Sequence, residues 1–426
     1  MAIVAVFLFL LGSAFQMVVI LRRTDGHYEF PFFAVATSTL YFGIQLVLFA
    51  FDQGQTFAPE IAFFAFFATL VNIALHAGFR RGAKNSLKRR LTFHQTKFRW
   101  LFPFLLHLVL VLLGLQAFLL LSSMSGGVST FLNTAGANIV WEGRAVQYTF
   151  AIQNFYFVYP ICLFIWRGTG NRAFLALGVF SLIIPVIYAV MLNRRFVLFL
   201  LLSTFYLFLF FQYRLVMRKA LIVILAPLAM VVVTIFPLLR SAMSIQEAIA
   251  ARKLTGIELI IGQNFNEVHN GALSLMASFL NSEHEYGLGF IKQVIKDFIP
   301  SSVIGREMKS QLLGPDGLRE IVYGIYRFDI PEHEFLTGVT IGFFQLGFLS
   351  LVLWYIVGFY FGNLWTRARK YGELKDQIMY TSMIPVGMMA LYFSPTAAFS
   401  QAIKVWVIVN ITFLFARLVI MKKPAG

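Results

Sequence analysis

Apolar stretches of about 20 residues recur along the whole chain, and each is long enough to cross ~30 Å of hydrocarbon as a helix. They fall at roughly 2–21, 31–51, 59–79, 101–121, 147–166, 172–192, 196–212, 220–239, 335–361, 378–394 and 400–420. Backbone groups inside a bilayer must be satisfied within their own segment or within a closed barrel. The period-2 alternation of a membrane barrel is absent, so these segments are expected to be helices. With 59% hydrophobic and 13% charged residues, the chain lacks the charge a soluble domain of 426 residues would carry. The fold class expected is an all-α polytopic membrane protein with about eleven transmembrane helices. The first stretch has no basic start and no cleavage site of the usual kind, and is read as a retained helix rather than a signal peptide.

Orientation follows from Lys and Arg. The linker "RRGAKNSLKRRLTFHQTKFR" carries Arg80, Arg81, Lys84, Lys88, Arg89, Arg90, Lys97 and Arg99, and is expected to be cytoplasmic. Counting spans from it puts Arg22–Arg23, Arg167–Arg172, Arg214–Lys219, Arg367–Lys375 and Arg417–Lys423 on the same side. Most of the 35 basic residues then lie inside and most of the 19 acids outside, with Lys404 within a span. The net charge of +16 is therefore a topology signal together with an attraction to anionic membrane lipids. It calls for no nucleic acid partner. Cys162, the single cysteine, has no partner for an internal disulfide.

Three regions follow: spans one to eight over 1–239, a long outer loop over 240–334, and spans nine to eleven over 335–426. A loop of that length in a compact membrane domain is usually functional. "GFIKQVIKDFIP" sets Phe290, Ile291, Val294, Ile295 and Phe298 on one helical face, which suits an amphipathic helix on the membrane surface, stopped by Pro300. "SIQEAIAARKL" predicts a second helix, with Ser244 as cap and Glu247 three residues on. "GPDG" at 314–317 predicts a turn. The loop also brings Arg240, Arg252, Lys253, Arg306, Lys309, Arg319 and Arg327, with His269, His284 and His333.

Two features on the outer face point to chemistry. Arg194 and Arg195, in "AVMLNRRFVLFLLL", join two apolar runs with almost no loop between them. They either snorkel to headgroups as anchors or present paired guanidinium groups for bidentate capture of phosphate oxygens. The tripeptide Glu-His-Glu occurs twice, at 283–285 and 332–334. It is a solvated acidic patch, or a divalent metal site whose spacing matches no usual zinc pattern. His333 and Glu334 sit at the outer end of the ninth span, where an ionisable pair suits general acid–base work. No P-loop, dinucleotide fingerprint or nucleophile elbow is present.

"NRRFVLFLLLSTF", "YGLGFIKQVIKDFIPSSVIGR" and "HEFLTGVTIGFFQLGFLSLVL", together with the late outer loop, resemble the bacterial Wzy-type O-antigen and exopolysaccharide repeat-unit polymerases. In the first stretch an arginine opens a span. In the second, Tyr-Gly, an amphipathic helix and Ile-Pro follow one another. In the third an acid or histidine precedes a helix containing Gly347. Where the family often has Arg directly after Ile-Pro, this chain has Ser301, and Arg306 is the nearest substitute.

The resemblance implies a GT-C-like membrane glycosyltransferase of the bacterial inner membrane with its active site facing the periplasm. It implies transfer of glycan from an undecaprenyl-pyrophosphate-linked donor to a lipid-linked repeat-unit acceptor, with a chain-length regulator as a candidate partner. Arg194, Arg195, Arg240, Arg306 and Arg327 are the candidates for binding the pyrophosphate. Glu334, ahead of His333, is the candidate base. Neither a cofactor nor a metal is expected. The alternatives are an O-antigen ligase, which passes glycan to a lipid A core, and a polysaccharide or lipid flippase. The ligase would use His333. The flippase would show short loops, buried charges in mid-span and repeat symmetry.

Overall fold

The computed structural model describes residues 1–53, 56–84, 100–124, 127, 151–191, 195–214, 267–299, 301–305, 307–308, 317–330 and 336–418. Among these residues no strand occurs. Helix α1 (Ala2–Leu21) is followed by α2 (Phe30–Thr37), a π-helical turn (Ser38–Gly43) and α3 (Ile44–Gln53). Then come α4 (Ala58–Lys84), α5 (Leu101–Met124), α6 (Asn154–Thr169), α7 (Arg172–Met191) and α8 (Arg195–Tyr213). Helices α9 (Glu267–Asn281), α10 (Leu288–Phe298) and α11 (Gly317–Tyr326) precede α12 (Gly338–Leu346), α13 (Ser350–Thr366), α14 (Leu374–Tyr392) and α15 (Pro395–Leu418).

Six runs among the described residues are long and apolar enough to cross a membrane: Ala2–Leu21, Phe30–Phe51, Ala58–Lys84, Leu101–Met124, Gly338–Lys370 and Pro395–Leu414. The chain is an all-α, membrane-embedded protein. The segment 220–239 and the helix expected from "SIQEAIAARKL" lie outside the described residues, as does most of "GPDG", whose Gly317 opens α11.

Helix ends follow local chemistry. Gly170 closes α6 in the left-handed region (φ 71), where its lack of Cβ removes the steric penalty. Thr337 caps α12 by accepting from the Thr340 amide. Helix α10 ends at Phe298, and Ile299 is extended, as a residue preceding proline prefers. The run read as one ninth span is two helices. Gly347, at φ 56 and ψ −140, breaks it between α12 and α13.

The most extensive helix pair is α4 with α13, which run parallel. "GFRRG" on α4 faces "GFYFG" on α13. A Cβ on Gly78 would stand 2.0 Å from the Tyr355 carbonyl oxygen, and one on Gly82 2.0 Å from that of Phe359. A Cβ on Gly358 would stand 2.1 Å from the Leu75 carbonyl oxygen, and one on Gly362 2.1 Å from that of Phe79. Backbones this close are the small-residue packing that joins helices where lipid removes the hydrophobic drive.

Polar contacts separate the two ends of the bundle. At one end Arg23 pairs with Glu29 at 2.6 Å, Arg369 pairs with Asp25, and Arg367 grips Asp376 through two nitrogens at 3.0 and 2.8 Å. Thr366 donates to the Ala83 carbonyl and Lys375 to Asn410. This basic end gathers segments 22–29, 80–84 and 366–377, which the charge count had grouped together. At the other end Gln45 accepts from the Val268 amide, and the Tyr326 hydroxyl donates to Glu60 at 2.9 Å. There α9, α10 and α11 form a cap. Helix α9 is its core, lying against α3, α4, α11 and α12, with Val268 through Leu275 almost wholly buried.

The basic end carries a pH-sensitive group. Burial pushes the Glu29 carboxyl up to about 7 against the pull of Arg23 and Arg369. Between its unfolded value of 4.5 and about 7, the folded chain keeps a proton that the unfolded chain has lost. Stability therefore falls as pH rises through that window, by at most about 3 kcal/mol. Thermal unfolding in detergent should show this slope in the wild type and a flatter profile in Glu29→Gln. An unchanged slope in the variant would assign it to other groups.

Candidate functional site

The cap meets the membrane bundle at the break between α12 and α13. The loop joining α9 to α10 is sharply folded, with Ser282, Tyr286 and Gly287 all at positive φ. It is stitched to the end of α12 by backbone hydrogen bonds. The Glu285 amide donates to the Phe344 carbonyl at 3.0 Å, and the Gly287 amide to that of Gln345 at 3.1 Å. The Gly289 amide donates to the Gln345 side-chain oxygen at 3.0 Å. These bonds fix residues 283–289 against the head of the membrane helices.

His284 lies over Gly347. A Cβ there would stand 2.9 Å from His284 Nε2, so the imidazole occupies the space that a side chain at position 347 would need. His284 Nδ1 is 3.4 Å from Ser278 Oγ, which donates to the Glu283 carbonyl at 2.8 Å. The ring meets Phe343 edge-on, with centroids 5.5 Å apart. The Glu285 carboxylate accepts from Lys292 Nζ at 2.9 Å and from Gln345 Nε2. Helix α10 therefore contributes a cation to the same cluster. The pair is partly exposed, with side chains 27% and 43% accessible, so its net stabilisation is about 1 kcal/mol or less. Positioning is its larger consequence.

The three side chains of this tripeptide diverge. His284 turns to Gly347, Glu285 to Gln345 and Lys292, and Glu283 is exposed. Among the described residues no three of His, Cys, Asp and Glu gather as a metal site. His269 is held elsewhere in the cap, its ring 4.3 Å from that of Phe49 and 5.4 Å from that of Phe328. Tyr326 closes the side of the cap on Glu60. Burial, and then that hydrogen bond, push its phenol above the usual range.

Of the residues expected to act, Arg194, Arg240, Arg306, His333 and Glu334 lie outside the described residues. Arg195 is the first residue of α8. Arg327 follows α11 at φ 53, exposed, with its guanidinium 5.9 Å from the centre of the Tyr323 ring. Among the described residues, the structure thus brings none of these candidates together. Leu336 and Thr337, just after the second Glu-His-Glu, are buried beside α9, where Thr340 Oγ1 donates to the Gly271 carbonyl. The sequence offers Glu285 and His284 as part of a solvated acidic patch or a metal tripeptide and Lys292 as a polar-face residue of α10, and gives Gln345 no role. Their grouping depends on contacts up to 60 residues apart that no local spacing signals. Comparison with protein-family models, with curated proteins and with solved structures gave no match.

Proposed function

We propose that this chain is a polysaccharide polymerase of the bacterial inner membrane, a metal-independent glycosyltransferase acting on the periplasmic face. It transfers glycan from an undecaprenyl-pyrophosphate-linked donor to a lipid-linked repeat-unit acceptor. The basic end is taken as cytoplasmic, by the positive-inside rule, which turns the cap outward. The observation that carries the reading is the cap itself. A folded set of helices is hydrogen-bonded onto a break in a membrane helix and presents a histidine, a carboxylate and a lysine at that level. Helix α10 adds exposed Leu288, Ile291 and Phe298, an apolar surface suited to the headgroup boundary. A reaction between two polyprenyl-linked substrates needs such a platform to hold both in reach. In this reading Arg194 and Arg195 take the leaving pyrophosphate, with Arg240, Arg306 and Arg327 in support, and Glu334 or His333 takes the acceptor proton.

Deleting the gene from its host separates the reading from its rivals. A polymerase defect leaves single repeat units attached to the acceptor. Polymer accumulating unattached on its lipid carrier would make the protein a ligase. Repeat units trapped on the cytoplasmic leaflet would make it a flippase.

A further inference from the structure

Directly after the first Glu-His-Glu tripeptide, Tyr286 is 78% exposed while its backbone stands at φ 52. A bulky residue in the left-handed region is sterically costly. Glycine would remove that cost, and it occupies the next position instead. Such a conformation persists only where the surroundings impose it. Here the amides on either side, of Glu285 and Gly287, donate to the Phe344 and Gln345 carbonyls at 3.0 and 3.1 Å. The His284 imidazole stands perpendicular to the phenol, with ring centroids 6.1 Å apart, and braces it. The ring is therefore held out from the cap in one direction, with most of its surface open.

Hydrogen-bonding groups of both kinds belong to the same loop and the helix it opens. Glu283 is exposed. The Glu285 carboxylate, 27% exposed, accepts from Lys292 Nζ and Gln345 Nε2 and keeps lone pairs for further donors. Lys292, 43% exposed, directs one of its three N–H groups at Glu285. One cation stands against two carboxylates in this stretch, which disfavours an anionic ligand such as a lipid phosphate.

We infer that Tyr286 is the stacking platform of a glycan subsite, with Glu283, Glu285 and Lys292 as its hydrogen-bonding groups. The inference rests on the proposed glycan transfer and names where the sugar part of a substrate is gripped. A sugar ring has a face of C–H groups, whose partial positive charge suits the negative face of an aromatic ring. Its rim of hydroxyls donates to carboxylates and accepts from an ammonium. A neutral polyol thus calls for an aromatic plate with donors and acceptors nearby, and residues 283–292 supply all three. An interfacial tyrosine anchor is the other use of an exposed phenol. Fluid headgroups require no fixed ring direction. Stacking does, and the strained, pinned backbone at Tyr286 fixes it. An open plate also suits a chain that lengthens, since it encloses no end of it.

The test measures binding alone. The probe is the water-soluble oligosaccharide freed by mild acid from the host's undecaprenyl-diphosphate-linked glycans, so no lipid carrier takes part. Saturation-transfer NMR on full-length protein in nanodiscs reads its binding, with empty nanodiscs as the blank. Wild type should bind saturably. Tyr286→Ala and Tyr286→Gly should each weaken binding about five- to tenfold, the size of one lost aromatic contact. Tyr286→Phe and Tyr286→Trp keep a ring face and should stay within about threefold of wild type. Tyr286→Gly should unfold at the wild-type temperature or above, because glycine relieves the strained φ, so its loss of binding is not loss of fold. Unchanged binding in Tyr286→Gly would overturn the inference, as would the absence of saturable binding by wild type. A lower unfolding temperature in Tyr286→Gly would make the ring a packing element and overturn it too. So would extra quenching by brominated lipid in Tyr286→Trp over wild type, which would make the ring a membrane anchor. Tyr286-dependent binding in a protein that makes no polymer would keep this inference and remove the polymerase reading. Polymerisation with binding indifferent to Tyr286 would do the opposite.

Discussion

Gly358→Leu or Gly78→Leu should leave little or no folded protein in the membrane. The positions at which a Cβ would begin are already 2.1 and 2.0 Å from carbonyl oxygens of the facing helix. No rotamer change relieves a clash with backbone, so α4 and α13 must separate. Because they are the most extensive pair, the close contacts along both helices go with them. A cost of about 3 kcal/mol or more is expected, at the upper end of overpacking effects. Gly324→Ala is the control. It lies on the exposed face of α11 with nothing within 4 Å of the added methyl, and should be neutral or stabilising by up to ~1 kcal/mol. Fluorescence-detected size exclusion after detergent extraction checks both. A monodisperse, fully expressed Gly358→Leu protein would contradict the packing described.

Arg194→Ala or Arg195→Ala should abolish polymer while the protein remains in the membrane at normal level. Removing one preorganised charge contact to a leaving group loses ~2–4 kcal/mol of transition-state stabilisation, roughly two to three orders of magnitude in rate. Arg195→Lys should also be impaired, because a point charge lacks the bidentate fork of guanidinium. Polymer analysis on gels, with membrane protein quantified alongside, gives the result. Full activity in both Ala variants would return these arginines to lipid anchoring.

Hydropathy made several apolar helices legible, because the bilayer demands a run of given length whatever its neighbours are. The stretches read at 2–21, 101–121 and 172–192 appear as α1, α5 and α7 with nearly the same bounds. Helix α10 was also readable, since both its amphipathic face and its proline stop are local. The break at Gly347 was not, because the imidazole that leaves no room for a side chain there belongs to His284, more than 60 residues earlier. Helix α9 escaped notice for a related reason. Its face bearing Asn270, Ser274 and Ser278 looks solvent-facing in sequence but is buried among α3, α4, α11 and α12. The glycine spacing of "GFRRG" and "GFYFG" was visible, yet such spacings are common in membrane helices and only the contact identifies them as partners. Lys404 was legible as a charge within a span. Gln401 lies three residues before it on the same helix, whereas Asp297 and Phe157 come from two other helices and are joined to it only by the fold.

The central claim is polymerisation on a lipid carrier without a metal. Purified protein reconstituted in vesicles, supplied with undecaprenyl-diphosphate-linked repeat units and a strong chelator, tests it most directly. A ladder of products longer than one repeat is expected, largely lost in Glu334→Gln with donor binding retained. A preparation that binds the donor yet yields nothing longer than a single repeat, with or without added divalent metal, would contradict the account.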